Sequence, residues 1–238
     1  MTTSIKNYSV PISIVLAGIF IALAIYFGGS APDIKPANNN FNQPSAVNIK
    51  NVKVENSPFI GNPNAPITIA YWFDYQCPAC KYNEENLMIP LVENYVKTGK
   101  VKIVFKDFPF LGLNKKPLPI MDSINLAVTA RAVWEAFPDK YYEWHKTIFA
   151  KQGQENSGWA TPEVIENITK AVFGPDSAII SKLVSDKGEI YKTQISADKA
   201  EGASFGVDAT PSFIVDTELI RGAPAYKQLA NYIDSLIQ

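Results

Sequence analysis

The two cysteines of the chain place the strongest constraint on its fold. They are the only cysteines among 238 residues, and only Pro78 and Ala79 separate Cys77 from Cys80. Residues 67–73, just before them, are β-branched and aromatic, as a buried strand is. Residues 82–96, after them, carry apolar side chains at helical spacing. The sequence therefore predicts a pair of thiols at a junction between a strand and a helix.

This junction predicts different chemistry for the two thiols. Cys77 lies at the predicted N-cap and Pro78 at the first helical position, where proline is favoured. The free N–H groups and the positive end of the helix dipole stabilise a Cys77 thiolate, which lowers its pKa below the roughly 8.5 of a free cysteine. Cys77 is predicted to be the nucleophile. Cys80, one turn later and less exposed, is predicted to be the resolving thiol that attacks a mixed disulfide.

Composition argues against several other classes of protein. The 22 basic and 23 acidic residues give a net charge of -1, so there is no basic field for phosphates and no nucleic-acid partner is expected. Two cysteines do not form the disulfide framework of a small secreted scaffold. With one histidine in the chain, the usual ligands of a zinc site are missing. We expect neither a metal nor an organic cofactor.

Residues 1–29 are predicted to be a membrane anchor or a signal segment. There is no charged side chain between Asn7 and Pro32, and residues 10–27 approach the roughly 20 apolar residues of a spanning helix. Lys6 precedes this stretch and Lys35 follows it at a distance, which favours a cytoplasmic N-terminus. We expect a single-pass anchor in the cytoplasmic membrane, with the catalytic domain on the extracytoplasmic side. The alternative is secretion after cleavage of the segment.

The rest of the chain is predicted to form a linker and one domain. Residues 30–57 are rich in Asn, Pro and Ser and predict a flexible tether. Within residues 58–238 the predicted order is β-α-β, then helices at about 121–206, then a hairpin and a final helix over residues 225–237. This order predicts an α/β domain with a helical insertion.

Five motifs occur in collinear order within residues 58–238. They are Gly61-Asn62-Pro63-Asn64-Ala65-Pro66, Phe73-Asp74-Tyr75-Gln76-Cys77-Pro78-Ala79-Cys80, Phe105-Lys106-Asp107-Phe108-Pro109, Gly206-Val207-Asp208-Ala209-Thr210-Pro211-Ser212-Phe213 and Gly222-Ala223-Pro224-Ala225-Tyr226. Together they resemble the motifs of DsbA-like thiol-disulfide oxidoreductases, which belong to the thioredoxin superfamily. The resemblance implies a thioredoxin fold interrupted by a helical insertion, in agreement with the order of elements.

The resemblance also implies a cis-proline loop beside the dithiol. Pro211 is expected to carry a cis peptide bond, and Thr210 to present its backbone to an extended substrate strand next to Cys77. Strongly oxidising members of the family resemble this chain at Pro78 but carry histidine where it has Ala79. Without that histidine the reduced form is expected to be less favoured, so the direction of disulfide exchange stays open.

Three other polar residues receive less weight. Asp74, three residues before Cys77, is a secondary site residue that could influence the ionisation of Cys77 or relay a proton near Cys80, but its position favours an exposed carboxylate at a strand end. Lys106 is predicted to be a solvated charge at a strand end. His145 is predicted to be a packing or surface residue.

The leading hypothesis is an enzyme that exchanges disulfides with cysteines of exported proteins, with oxidative folding as the favoured direction. A membrane or soluble redox partner would restore the starting state. The alternatives are a disulfide reductase or isomerase, a tethered chaperone-like module, and a copper-binding module, since Cys-x-x-Cys thiolates also bind Cu(I). Function without both cysteines would favour the chaperone, and tight stoichiometric copper binding would favour the metal carrier.

Overall fold

The computed structural model describes residues 47–237, so the predicted anchor and residues 30–46 of the predicted linker lie outside the described part. Among the described residues, no helix is long and apolar enough to cross a membrane. The strands of the sheet are β1 Phe59–Ile60, β2 Ile67–Phe73, β3 Val101–Asp107, β4 Ser212–Val215 and β5 Glu218–Arg221. The longer helices are α1 (residues 78–96), α2 Asp122–Ala136, α3 Tyr141–Ala150, α4 Pro162–Phe173, α5 Ser177–Ser204 and α6 Tyr226–Leu236.

The sheet has the order β1-β3-β2-β4-β5. Strands β2 and β3 are parallel and joined by α1, whereas β1, β4 and β5 pair antiparallel to their neighbours. Helices α2 to α5 form the predicted insertion between β3 and β4. The predicted order β-α-β, helices, β-β-α is therefore confirmed, and the short strand β1 is an addition to it. Because β2 is the central strand, the segment that follows it, which contains both cysteines, starts at the middle of the sheet.

Helix α1 begins at Pro78 and continues through segments Pro78–Asn83, Glu84–Met88, Ile89–Leu91 and Val92–Val96. Two of its turns are widened, so that the Ile89 N–H donates to the Glu84 carbonyl and the Lys97 N–H to the Val92 carbonyl. Proline has no N–H and crowds the preceding turn, and wider turns accommodate it inside a helix. Pro90 lies between the two widened turns and therefore explains them.

Alternate residues of β2 enter two different hydrophobic clusters. Ile69, Tyr71 and Phe73 face the larger cluster, which includes buried residues of α1 and of the helical insertion. Ala70 and Trp72 face a smaller cluster on the opposite side of the sheet. Successive strand side chains point to opposite faces, so a strand covered on both faces is apolar throughout. This explains the continuous apolar pattern of residues 67–73.

Residues 47–57, which were predicted to belong to the flexible tether, pack against the domain. Val47 and Val52 are buried in the smaller cluster. The Ile49 N–H donates to the Asp216 carbonyl at 2.7 Å, at the turn between β4 and β5. The Asn- and Ser-rich composition suggested exposure, but the two valines supply enough apolar surface to hold the segment on the sheet. The folded part of the chain therefore starts earlier than predicted.

The prediction of a solvated Lys106 was wrong. Its side chain is 2% exposed, and its ammonium lies 2.5 Å from Asp198 and 2.9 Å from Glu201, both in α5. It also donates to the Lys53 carbonyl at 2.9 Å. Arg131 of α2 pairs with the same Asp198 and with Asp107. A buried charge requires such partners, and these partners come from distant parts of the chain.

Candidate active site

The two cysteines lie at the junction that the sequence predicted. Strand β2 ends at Phe73, Cys77 is the N-cap residue of α1, and Pro78 is the first residue of the helix. The Cys80 and Lys81 N–H groups donate to the Cys77 carbonyl at 3.0 and 3.2 Å. Both cysteines are free thiols in this structure, and Pro78 and Ala79 between them are exposed. The dithiol therefore lies at the N-terminal end of α1, where Pro78 and Ala79 reach the surface.

The surroundings shift the pKa values of the two thiols in opposite directions. The pKa of Cys77 is lowered to about 6, first because the Cys80 thiol donates a hydrogen bond to it, and further through Thr210 and the N–H groups of Cys80 and Ala79; burial acts in the opposite direction. Burial raises the pKa of Cys80 well above its ordinary value, and the neighbouring Cys77 raises it further. At neutral pH the pair therefore holds one thiolate and one thiol.

The loop before β4 brings Thr210 and Pro211 to Cys77. The Thr210–Pro211 peptide bond is cis, as expected. The Cys77 Sγ donates to the Thr210 carbonyl at 3.4 Å, and the Gly222 N–H donates to the Pro211 carbonyl at 2.8 Å. The Thr210 Oγ1 is buried and has no hydrogen-bond partner by geometry, although it lies close enough to the thiols to lower the pKa of Cys77. Thr210 and Pro211 of the cis-proline loop therefore lie beside Cys77 of the dithiol motif.

The expectation of an exposed Asp74 was wrong. Its side chain is buried and accepts four hydrogen bonds. Oδ1 accepts from the Gln76 N–H at 2.8 Å and from the Ser123 hydroxyl at 2.6 Å, and Oδ2 accepts from the N–H groups of Phe110 and Leu111 at 2.9 and 3.1 Å. Burial raises the pKa of Asp74, and these hydrogen bonds oppose the rise. The carboxylate therefore fastens the loop that leads to Cys77.

Comparison with known proteins agrees with this fold. The family model described as Thioredoxin matches residues 53–235 of the chain. The chain belongs to the thioredoxin family. It is 23% identical over 181 residues to disulfide bond formation protein D of Bacillus subtilis, covering 76% of this chain and 77% of that protein. It is 27% identical over 176 residues to the probable disulfide bond formation protein D of Bacillus anthracis, covering 74% and 76%.

A solved structure gives the same result for the fold. The crystal structure of oxidised BdbD from Bacillus subtilis superposes with a TM-score of 0.70 at 21% identity, covering 82% of this chain and 99% of that one. The DsbA-like resemblance drawn from the sequence is confirmed by these comparisons. The chain is accordingly a protein thiol-disulfide oxidoreductase of the thioredoxin family with a helical insertion.

The helical insertion holds the active-site loop from several directions. The Gln152 Nε2, just after α3, donates to the carbonyls of Tyr75 at 2.8 Å and Cys77 at 3.1 Å. Gln76 is fully buried; its Nε2 donates to the Ser123 hydroxyl at 2.9 Å, and its Oε1 accepts from the Asn156 N–H at 2.9 Å. These hydrogen bonds hold Tyr75, Gln76 and Cys77 in place. The roles of Gln76 and Gln152 could not be predicted from the sequence, because only the fold brings their partners near.

A buried polar cluster lies behind Cys80. The Tyr142 hydroxyl donates to Glu84 Oε1 at 2.6 Å, and Glu84 Oε2 lies 3.5 Å from His145 Nε2. The other ring nitrogen of His145 is 3.0 Å from the Tyr75 hydroxyl. His145 is fully buried, in keeping with the packing prediction. Glu84 was not among the predicted site residues, although its spacing of four residues from Cys80 places both on one helix face.

No set of residues in the described part is arranged to hold a metal ion. Residues 47–237 contain no group of three or more histidine, cysteine, aspartate or glutamate side chains with that arrangement. The cis proline lies against the dithiol, with the Thr210 carbonyl 3.4 Å from the Cys77 sulfur. The free thiols and the lowered pKa of Cys77 make thiol-disulfide exchange at the Cys77 sulfur the chemistry that this arrangement supports.

Proposed function

We propose that the chain is a disulfide donor that oxidises pairs of cysteines in exported proteins. The observation that carries this proposal is the low pKa of Cys77, about 6, next to the raised pKa of Cys80. A stabilised thiolate favours the reduced form of the dithiol, so the oxidised form gives up its disulfide readily. Thiol-disulfide exchange also agrees with the family and with the printed names of the relatives.

The proposed reaction has two exchange steps. A substrate thiolate attacks the Cys77 sulfur of the Cys77–Cys80 disulfide, a mixed disulfide forms, and Cys80 is released as the leaving thiolate. A second substrate thiolate then attacks the substrate sulfur, and Cys77 leaves as a thiolate. The substrate loses two electrons and the dithiol gains them. Cys77 is the attacked sulfur because it is the less buried of the two, 6% against 0% exposed.

Substrate binding is assigned to the two loops around Cys77. The Thr210 backbone precedes the cis proline beside the sulfur, and an extended substrate segment would pair with it in the manner of an added strand. Pro78 and Ala79 are exposed and would form the opposite side of this position. Asp74 contributes by holding the loop before Cys77, because its carboxylate is occupied by the four hydrogen bonds described above.

The location of the enzyme is part of the proposal. Residues 1–29 would anchor the chain in the cytoplasmic membrane, and the domain within residues 58–238 would work on the extracytoplasmic side, where its substrates emerge. Residues 30–57 would link the two, and the last part of this linker, residues 47–57, packs against the domain. A membrane or soluble redox partner would reoxidise the dithiol after each turnover.

The equilibrium reduction potential of the Cys77–Cys80 pair tests the direction. The full chain in detergent would be equilibrated with mixtures of reduced and oxidised glutathione, quenched with acid and analysed by thiol labelling. We expect a potential above that of thioredoxin, about -270 mV, yet below that of the strongest oxidants, about -120 mV, because Ala79 adds no stabilisation of the thiolate. A value at or below that of thioredoxin would favour the alternative, a reductase or isomerase.

A further inference from the structure

The loop between β3 and α2, residues 108–121, exposes several large apolar side chains. Eight such side chains are exposed in residues 47–237, and three of them, Phe110, Leu118 and Met121, lie in this β3–α2 loop. Leu118 is 76% exposed, the highest value of the eight. Single exposed apolar residues are common on protein surfaces, whereas several in one short segment call for an explanation.

The β3–α2 loop has a defined base. The Lys115 and Ile120 N–H groups both donate to the Gly112 carbonyl, at 3.1 and 3.0 Å. Gly112 has a φ of 76°, and a Cβ on it would lie 2.7 Å from the Ile120 carbonyl oxygen. Only glycine therefore lets the two ends of the segment meet so closely. Residues 114–119 are all exposed beyond this base.

Leu118 lies at the exposed end of the loop, between Pro117 and Pro119. Proline fixes the backbone angle φ, so this end is ordered before it meets any other surface and loses little conformational entropy on contact. A side chain that projects in this way does not form a concave site for a small ligand. It is suited to enter another surface.

The charges of the loop have one sign. Lys115 and Lys116 directly precede the exposed end, and residues 108–121 contain neither Asp nor Glu. Both lysines are exposed, and within residues 47–237 neither forms an ion pair. Lys199 of α5 adds a third cation at the base, where it donates to the Pro109 carbonyl at 2.9 Å. This combination of exposed apolar and cationic groups is complementary to an anionic lipid surface.

The base of the loop contacts the residues that precede Cys77. The Gln76 Nε2 donates to the Leu111 carbonyl at 3.3 Å, and the Leu111 N–H donates to the Asp74 carboxylate at 3.1 Å. A Cβ on Gly112 would lie 3.2 Å from the same Gln76 nitrogen. A surface that holds the loop would therefore also hold the active-site end of the domain.

We propose that the β3–α2 loop docks on the surface of an anionic lipid bilayer, with Leu118 at the boundary of the acyl chains and Lys115 and Lys116 at the lipid phosphates. Lysine stems lie along apolar surface while their ammonium groups stay at the head groups. Each lysine near an anionic surface raises the affinity about fivefold. The inference goes beyond disulfide exchange and uses only the proposed location of the domain beside a membrane.

Docking of this kind would act together with the predicted anchor. One leucine and two lysines bind a bilayer weakly, but a tether raises the effective concentration of the loop at the surface, so weak affinity is sufficient. The docked loop would turn the active-site end of the domain toward the bilayer. A redox partner in the membrane could then reach the dithiol.

Crosslinking from within the bilayer tests the docking. The full-length protein would be reconstituted into vesicles of phosphatidylcholine, or of phosphatidylcholine mixed with phosphatidylglycerol, that contain a phospholipid with a diazirine near its head group. Illumination, proteolysis and mass spectrometry would locate the lipid adducts. We expect adducts in residues 108–121 with phosphatidylglycerol, and about 5- to 25-fold fewer without it. Adducts in residues 1–29 report separately on the predicted anchor.

Three variants make the test specific. Leu118→Asp should lower the loop adducts about tenfold or more, because it removes the apolar contact. Replacing Lys115 and Lys116 together with glutamine should abolish the difference between the two kinds of vesicle. These three side chains are exposed, so the variants should fold. Ile190→Asp is the matched control: Ile190 is 56% exposed on α5, but the lysines near it pair with glutamates, and the loop adducts should not change.

The rival occupant of this surface is an unfolded substrate chain. In detergent, oxidised Leu118→Asp should oxidise reduced, unfolded ribonuclease as fast as the unaltered protein does. A slower rate in a protein without loop adducts would assign the loop to substrate binding and overturn the proposal. Loop adducts that are absent, equal in both kinds of vesicle or unchanged in Leu118→Asp would also overturn it. If the unaltered protein fails to oxidise ribonuclease, the proposed function fails, whereas the adducts still decide the docking.

Discussion

At the scale of single residues, the two thiols of one helical turn behave as different chemical groups. The pKa of Cys77 falls to about 6, whereas burial raises that of Cys80. The difference depends on position, because Cys77 is the N-cap residue and Cys80 lies inside the first turns of α1. Free N–H groups reach the first thiol and apolar side chains surround the second.

We therefore predict that iodoacetamide modifies one thiol of the reduced protein with a midpoint near pH 6. The rate should fall about tenfold per pH unit below the midpoint and level off above it, since the thiolate is the nucleophile. Mass spectrometry of the digested protein would locate the label on Cys77. Because the Cys80 thiol is the largest cause of the low pKa, Cys80→Ala should move the midpoint upward. A midpoint near 8.5 in the unaltered protein would contradict this account.

Local signals predicted the dithiol, and the same signals failed for Asp74 and Lys106. The order of Cys77, Pro78 and Cys80 at a strand-helix junction depends on neighbours in the sequence, so it could be derived from the sequence. The burial of Asp74 depends on Ser123, 49 residues away, and that of Lys106 on Asp198 of α5. No periodicity in the sequence indicates which distant group will compensate a buried charge.

The buried Lys106 carries a stability prediction. Lys106→Met should cost about 3–5 kcal/mol in the free energy of unfolding, because Asp198 and Glu201 would lose a buried cation. Lys102→Met is the matched control, since Lys102 is in the same strand and makes only an exposed hydrogen bond to the Pro63 carbonyl; it should cost less than about 1 kcal/mol. Urea unfolding followed by tryptophan fluorescence measures both. Equal costs would mean that Lys106 is not buried in solution.

At the scale of elements, α5 and the centre of the sheet meet at a glycine. A Cβ on Gly202 would lie 2.6 Å from Nε1 of Trp72, closer than real contacts allow. Trp72 cannot easily move, because it is fully buried in β2 and its indole N–H donates to the Asp198 carbonyl at 3.1 Å. The close approach of helix to strand therefore requires glycine at this position.

Two glycines of α5 consequently predict opposite effects of alanine. Gly202→Ala should destabilise the protein by about 1–3 kcal/mol through overpacking. Gly188→Ala should stabilise it by about 0.5–1 kcal/mol, because alanine is the better helix former and nothing lies within 4 Å of the added Cβ. Denaturation midpoints of the two variants would be compared with that of the unaltered chain. A stabilising Gly202→Ala would show that α5 can shift away from the sheet.

The elements of the fold differ in how well the periodicity of their sequence predicted them. Residues 67–73, the helical block and the final hairpin were predictable, because each has a pattern long enough to be distinctive. Strand β1 has only two residues and exists because it pairs with β3, so its own sequence did not indicate it. The packing of residues 47–57 was missed for a similar reason, since Val47 and Val52 are isolated in a polar stretch.

At the scale of the whole molecule, the redox state of the dithiol should affect the stability of the fold. In the reduced protein the pKa of Cys77 is about 6 when folded and about 8.5 when unfolded. A lowered pKa adds stability above the unfolded value and loses it as pH falls through the folded value. In the oxidised protein Cys77 is part of a disulfide and cannot ionise. Only the reduced form should therefore become more stable as the pH rises from about 6 to about 8.5.

We predict that the unfolding free energy of the reduced form, minus that of the oxidised form, increases between pH 5.5 and pH 8. Above about pH 8.5 the raised pKa of Cys80 should reverse the trend, because that thiol ionises only when unfolded. Paired urea titrations with and without reductant would measure the difference at each pH. A difference that is constant below pH 8 would show that Cys77 does not ionise at a lowered pKa.

The hydrogen bonds from the insertion to the active-site loop limit how the molecule could be divided. The Ser123 hydroxyl donates to the Asp74 carboxylate, and the Gln152 amide donates to the carbonyls of Tyr75 and Cys77. The Asn156 N–H donates to the side chain of Gln76. A shorter chain with the insertion cut out would leave a carboxylate, an amide and two carbonyls of this loop without these donors and acceptors. We therefore expect that the insertion of a related protein could replace this one only together with the residues that precede Cys77.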